Sequence, residues 1–150
     1  MNKKETFKIV LSWTPALVVM IVIFCFSSQF SEESAQTSTE ILEWLEKIFN
    51  ITINHEVLRK IAHAFEFFAL GATVSVGFLN TLKRPAPIAS LIVSVVYALS
   101  DEIHQIFVPG RACRAFDIFV DTCGAGVGII ACLFLFYLTG KIKSRKTKKK

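Results

Sequence analysis

Three short stretches place ionisable residues at the ends of long apolar runs. In Arg59-Lys-Ile-Ala-His-Ala-Phe-Glu66, helical spacing puts Arg59, His63 and Glu66 at i, i+4 and i+7, on one face. In Asp101-Glu-Ile-His-Gln105, Asp101 and Gln105 share a face with His104 beside them, while Glu102 lies about 100° round the helix. The third, Phe116-Asp-Ile-Phe-Val-Asp121, aligns Asp117 and Asp121 with Gly124 and Gly128. These residue types suit chemistry on a phosphate. Arg59 and Arg111 offer charge-assisted forks for its oxygens. His63 or His104 can act as a base tunable near neutral pH, with Glu66 or Asp101 orienting the ring. Asp117 and Asp121 can hold a divalent cation or complete a proton relay. The expected catalytic set is therefore His63, Glu66, Asp101, His104 and Asp121. Arg59, Glu102, Gln105, Arg111 and Asp117 form the expected binding set. His63-x-x-Glu66 alone is a weak metal pattern, so no metal is assigned.

The elements that must position these groups are legible from hydrophobicity. No charge occurs between Lys8 and Glu32, between Arg84 and Asp101, or between Asp121 and Lys141. A fourth run, Phe67 to Leu82, extends back to Ile61 if Glu66 is tolerated. A span needs about 20 mostly apolar residues. The reading is an all-α membrane bundle of four transmembrane helices, at about 9–27, 61–82, 86–104 and 115–139, in a single domain 1–150 with a basic tail 141–150. The first run has the start of a signal peptide, but it is long and lacks a good cleavage site, so it reads as a retained span. Between spans one and two, the stretch 37–50 opens with a capping box, Thr37 to Glu40. It carries Ile41, Leu42, Leu45, Ile48 and Phe49 at helical spacing, which predicts an extracytoplasmic amphipathic helix.

Lys and Arg set the orientation. Twelve of the seventeen precede span one, link spans two and three, or follow span four; Lys47, Arg59, Lys60, Arg111 and Arg114 fall on the other side. Both termini are thus expected to be cytoplasmic, and the net charge of +5 reports membrane topology rather than nucleic-acid binding. The four cysteines show no CxxC pair and are expected to be small buried apolar residues. With this topology the start of span two, the end of span three and the start of span four all lie at the outer interface. The three polar clusters are then expected to line one pocket, and the Gly124/Gly128 face lets a neighbouring helix approach closely.

A structural alternative pairs Arg59 with Glu66, Arg111 with Asp117, and His63 with Asp121. The ten groups comprise five acids, two arginines, two histidines and one glutamine. Acids exceed bases by two even with one histidine charged, whereas a purely structural network should sit nearer balance. Ion or proton transport is disfavoured, because no ionisable residue continues the path along the inner halves of the spans.

The stretches Arg59–Phe67, Ser100–Arg111 and Asp117-x-x-x-Asp121-x-x-Gly124, in that order on successive spans, resemble the VanZ family of small bacterial membrane proteins. The resemblance covers roughly residues 10–138, and the one departure is Ala112-Cys113 after Arg111, where a glycine or small hydroxyl residue is common. It implies a bacterial cytoplasmic-membrane protein acting in the cell envelope, in a family named for a member linked to teicoplanin resistance. The family has also been grouped with membrane enzymes that exchange lipid head groups. Two readings follow: head-group or phosphoryl transfer on a membrane lipid or lipid-linked precursor, or non-catalytic capture of a lipid, cell-wall precursor or glycopeptide antibiotic. The implied partners are a lipid phosphate and the membrane itself. A divalent cation is an optional cofactor, and the sequence leaves the oligomeric state open.

Overall fold

The computed structural model describes residues 2–29, 39, 42–44, 47–48, 50, 54–111 and 113–147, with backbone alone from 140 onward. Four helices follow in order: α1 Lys3–Ser27, α2 His55–Leu82, α3 Pro87–Gln105 and α4 Ala115–Thr147. Among the described residues there is no strand. All four helices are long and apolar enough to cross a membrane, α4 through Thr139. The all-α, four-span fold class read from the sequence is the observed one. Most of the stretch 37–50, including the Thr37 to Glu40 capping box, lies outside the described residues; those described between 39 and 48 are helical.

Helices α1 and α2 begin about six residues before the apolar runs do. Polar caps explain the extension, because a capped first turn stays helical in the interfacial layer where hydropathy gives no signal. The Glu5 carboxylate accepts from the Asn2 N–H at 3.4 Å, and the Asn54 side chain accepts from the Glu56 N–H at 3.0 Å. At its far end α2 stops at Lys83, whose φ of 56° is left-handed. Pro87 opens α3, where its missing N–H costs no helical bond.

The bundle is apolar outside and partly polar inside. Phe65, Ile88, Phe107 and Ile130 are exposed, as lipid-facing side chains should be, while Asp101, Glu102, Gln105 and Asp121 are buried. Close packing of α2 on α4 depends on glycine. A Cβ at Gly124 would collide with the Ala64 carbonyl, and one at Gly128 with the Phe68 carbonyl; from the other side, Gly71 of α2 meets the Ala125 carbonyl. The small-residue face expected on span four is thus the face that meets α2. Phe67, Leu70, Val74, Ala98 and Ala125 fill the centre with Ala16 and Ile23 of α1. Two polar ties hold α1 in place: Trp13 Nε1 donates to Thr81 Oγ1 at 3.0 Å, and Tyr97 Oη donates to the Met20 carbonyl at 2.5 Å. The cysteines are free, but Cys25, Cys113 and Cys123 are exposed rather than buried. This corrects the expectation of burial; at Cys25 and Cys123 a thiol is apolar enough to face lipid.

Candidate functional site

The glycine contact between α2 and α4 fixes the depth of the polar groups. Two turns before Phe67 on α2 come Arg59 and Lys60, one turn before it comes His63, and one turn before Gly124 on α4 comes Asp121. They meet in a small cavity lined by Arg59, Lys60, His63, Glu102, Asp117 and Asp121, with Gln105 and Val120 completing the wall. Its volume is about 10 Å³, room for roughly one water molecule.

His63 is the centre of this arrangement. Its Nδ1 lies 3.9 Å from Glu66 Oε2 and 3.9 Å from Asp121 Oδ1. Both oxygens are buried and have no hydrogen-bond partner. Beyond the histidine, Lys60 Nζ stands 3.5 Å from Asp117 Oδ1 and 4.8 Å from the centre of the Phe116 ring. Of the three pairings in the structural alternative, His63 and Asp121 do stand together. Asp117 is instead met by Lys60, and Arg111 goes elsewhere.

Arg111 follows the Val108–Arg111 turn, which closes with a 3.1 Å bond from the Arg111 N–H to the Val108 carbonyl and needs a φ of 78° at Gly110. From there its guanidinium reaches back to the end of α1. Nε donates to the Gln29 carbonyl at 3.1 Å and Nη2 to the Phe26 carbonyl at 3.0 Å, a cationic cap on the helix end, where the Phe26 carbonyl also accepts from the Gln29 N–H at 3.3 Å. Nη1 is buried with no hydrogen-bond partner. Burial pulls the Arg111 pKa below its ordinary value, and the nearby Arg59 charge adds to the effect. The Asp101, Glu66 and Glu102 carboxylates pull it the other way.

The end of α3 is largely bonded within the protein. Asp101 Oδ2 accepts from Ser27 Oγ at 2.8 Å and from Gln105 Nε2 at 3.0 Å. Glu102 Oε2 accepts from the Arg114 backbone N–H at 2.8 Å, pinning the loop to the start of α4. The Arg114 side chain pairs with Glu56 at the start of α2, which raises the arginine pKa. His104 turns to α1: its ring stacks on Phe24 with centroids 4.6 Å apart, and its Nε2 lies 3.0 Å from Ser28 Oγ. Because the Ser28 hydroxyl already donates to the Phe24 carbonyl at 2.6 Å, the ring nitrogen is the donor in that contact.

The sequence-derived residues thus sort into three groups. Arg59, His63, Glu66, Glu102, Gln105, Asp117 and Asp121 come together around the cavity. Asp101 and Arg111 form its supporting layer against α1, and His104 belongs to the α1–α3 contact. Three participants were absent from the sequence-derived set: Lys60, Ser27 and Ser28. The Ser27-Ser28 pair ending an otherwise apolar run was the signal available for the last two. Among the described residues, no three His, Cys, Asp or Glu side chains stand together so as to hold a metal ion, so the optional divalent cation has no such cluster here.

The family model for VanZ/LLP1 matches residues 12–137, from within the first span to within the fourth, and takes in each of these clusters. The chain belongs to the VanZ/LLP1 family. No curated protein and no solved structure matches it. What the VanZ/LLP1 assignment adds is that the polar stretches and the four-helix frame form one family unit, with the basic tail beyond it.

Proposed function

We propose that this VanZ/LLP1 protein carries out phosphoryl or head-group transfer on a lipid-linked phosphate at the outer leaflet of the bacterial cytoplasmic membrane, both termini being cytoplasmic. The observation that carries the reading is His63, held 3.9 Å from two buried carboxylate oxygens that have no hydrogen-bond partner, on the wall of a cavity with Arg59 and Lys60. Glu66 and Asp121 both face Nδ1, which leaves Nε2 as the ring atom for a substrate. In transfer, a hydroxyl oxygen attacks phosphorus and the bond to the leaving oxygen breaks. His63 Nε2 takes the hydroxyl proton and returns it to the leaving oxygen. Arg59 and Lys60, on the cavity wall, offset charge on the phosphate oxygens. A cavity of about 10 Å³ is too small for a whole head group; the phosphate docks across its mouth and only the reacting oxygens enter.

The second reading is capture of a lipid, cell-wall precursor or glycopeptide without chemistry. The internal bonds of Asp101, Glu102 and His104 favour it, since those groups already serve the fold. Lipid mass spectrometry of cells expressing the wild type or His63→Ala separates the two. Transfer requires a lipid species that changes with the wild type and not with the variant. An unchanged lipid profile in both, with the protein inserted, supports capture.

A further inference from the structure

On the other side of the Gly124/Gly128 crossing, α2 and α4 leave an apolar groove of about 450 Å³, walled by Phe68, Val76 and Leu79 and by Cys132, Leu135 and Phe136. Two hydroxyls border it, and both are satisfied within their own helices. Thr73 Oγ1 donates to the Ala69 carbonyl at 2.7 Å, and Thr139 Oγ1 to the Phe136 carbonyl at 2.9 Å. An occupant therefore meets hydrocarbon. From Phe68 to Leu79 the wall runs roughly 16 Å along the helix axis, about one leaflet's share of a hydrocarbon core of ~30 Å. Its end is basic. One turn past Leu79 come the exposed Lys83 and Arg84, and the α4 backbone stays helical past Thr139 through Lys141 and Lys143.

We propose that this groove holds an acyl chain of an anionic phospholipid whose phosphate rests on Lys83 and Arg84, at the opposite end of the bundle from His63. Length selects a single-leaflet chain, the satisfied hydroxyls select hydrocarbon, and the basic mouth selects negative charge. A second copy of the chain fits less well. Side by side in the same orientation, two copies would bring Lys83 and Arg84 of each to one depth, like charge against like.

Native mass spectrometry of the full chain in detergent, offered equal amounts of phosphatidylglycerol and phosphatidylcholine, reads which lipid stays bound. The wild type should retain phosphatidylglycerol preferentially, and Lys83→Gln with Arg84→Gln should weaken that preference roughly thirtyfold. Ala131 also lines the groove; Ala131→Phe, which fills it, should lower retention of both lipids, with circular dichroism confirming an unchanged helix content. The double variant is confined to an exposed turn and serves as the test even if Ala131→Phe does not fold. Equal retention of the two lipids by the wild type, an unaltered preference in the double variant, or a dimer in place of bound lipid would overturn the proposal. None of these outcomes depends on the activity of His63.

Discussion

Asp121 of α4 places Oδ1 3.9 Å from His63 Nδ1 of α2, so one ionisable contact bridges the two helices that glycine packs most closely. In the proposed reaction Asp121 orients the ring and stabilises its protonated form. Asp121→Asn preserves size and removes the charge. Turnover should fall on the order of 10²-fold, while retention of the lipid substrate stays near wild type, as read by single-turnover kinetics beside a binding assay.

The same contact depends on how closely α4 approaches. A side chain at Gly128 would strike the Phe68 carbonyl, so Gly128→Val should force the helices apart and destabilise the bundle by about 1–3 kcal/mol. Gly126, with open space around its would-be Cβ, is the internal control. Gly126→Ala should be close to neutral in the same denaturation series.

Glu102 is 1% exposed, and its carboxylate holds the Arg114 N–H at 2.8 Å. Glu102→Ala leaves that donor without its acceptor and should cost about 1–3 kcal/mol. Glu102→Gln keeps an acceptor oxygen in place and should cost less. A larger loss for glutamine than for alanine would mean that the carboxylate is not an anchor for the loop.

The proposed orientation puts Cys113, exposed in the α3–α4 loop, outside the cytoplasm. In a variant with the other three cysteines replaced by serine, a membrane-impermeant maleimide should label Cys113 in intact cells. Labelling confined to permeabilised cells would reverse the topology and move the polar site to the inner leaflet.

Much of the frame was legible because hydrocarbon imposes a simple condition: a span needs about 20 mostly apolar residues, and a run such as 86–104 has few other readings. Residues spaced along one face, His63 with Glu66 and Asp117 with Asp121, could be placed at one depth from topology alone. Their partners were harder to read. Arg111 binds the Phe26 and Gln29 carbonyls, and backbone acceptors leave no mark in a sequence. Lys60 rather than Arg111 meets Asp117, because the Arg111 guanidinium is turned to the α1 carbonyls. Ser27 and Ser28 bind Asp101 and His104, yet a hydroxyl inside a membrane helix is common enough to draw no notice. His104 was grouped with His63 because both are titratable; its contacts to α1 depend on packing that periodicity does not specify.

The most direct measurement follows lipid phosphates over time in vesicles of total bacterial polar lipid supplemented with an isoprenoid phosphate, by ³¹P NMR and mass spectrometry, with purified wild type or His63→Gln reconstituted at equal density. The wild type should convert a phosphate-bearing lipid to a new species, and His63→Gln should be slower by at least about 10²-fold. No conversion by the wild type, or equal rates for the two proteins, would contradict a role for His63 in chemistry at this site.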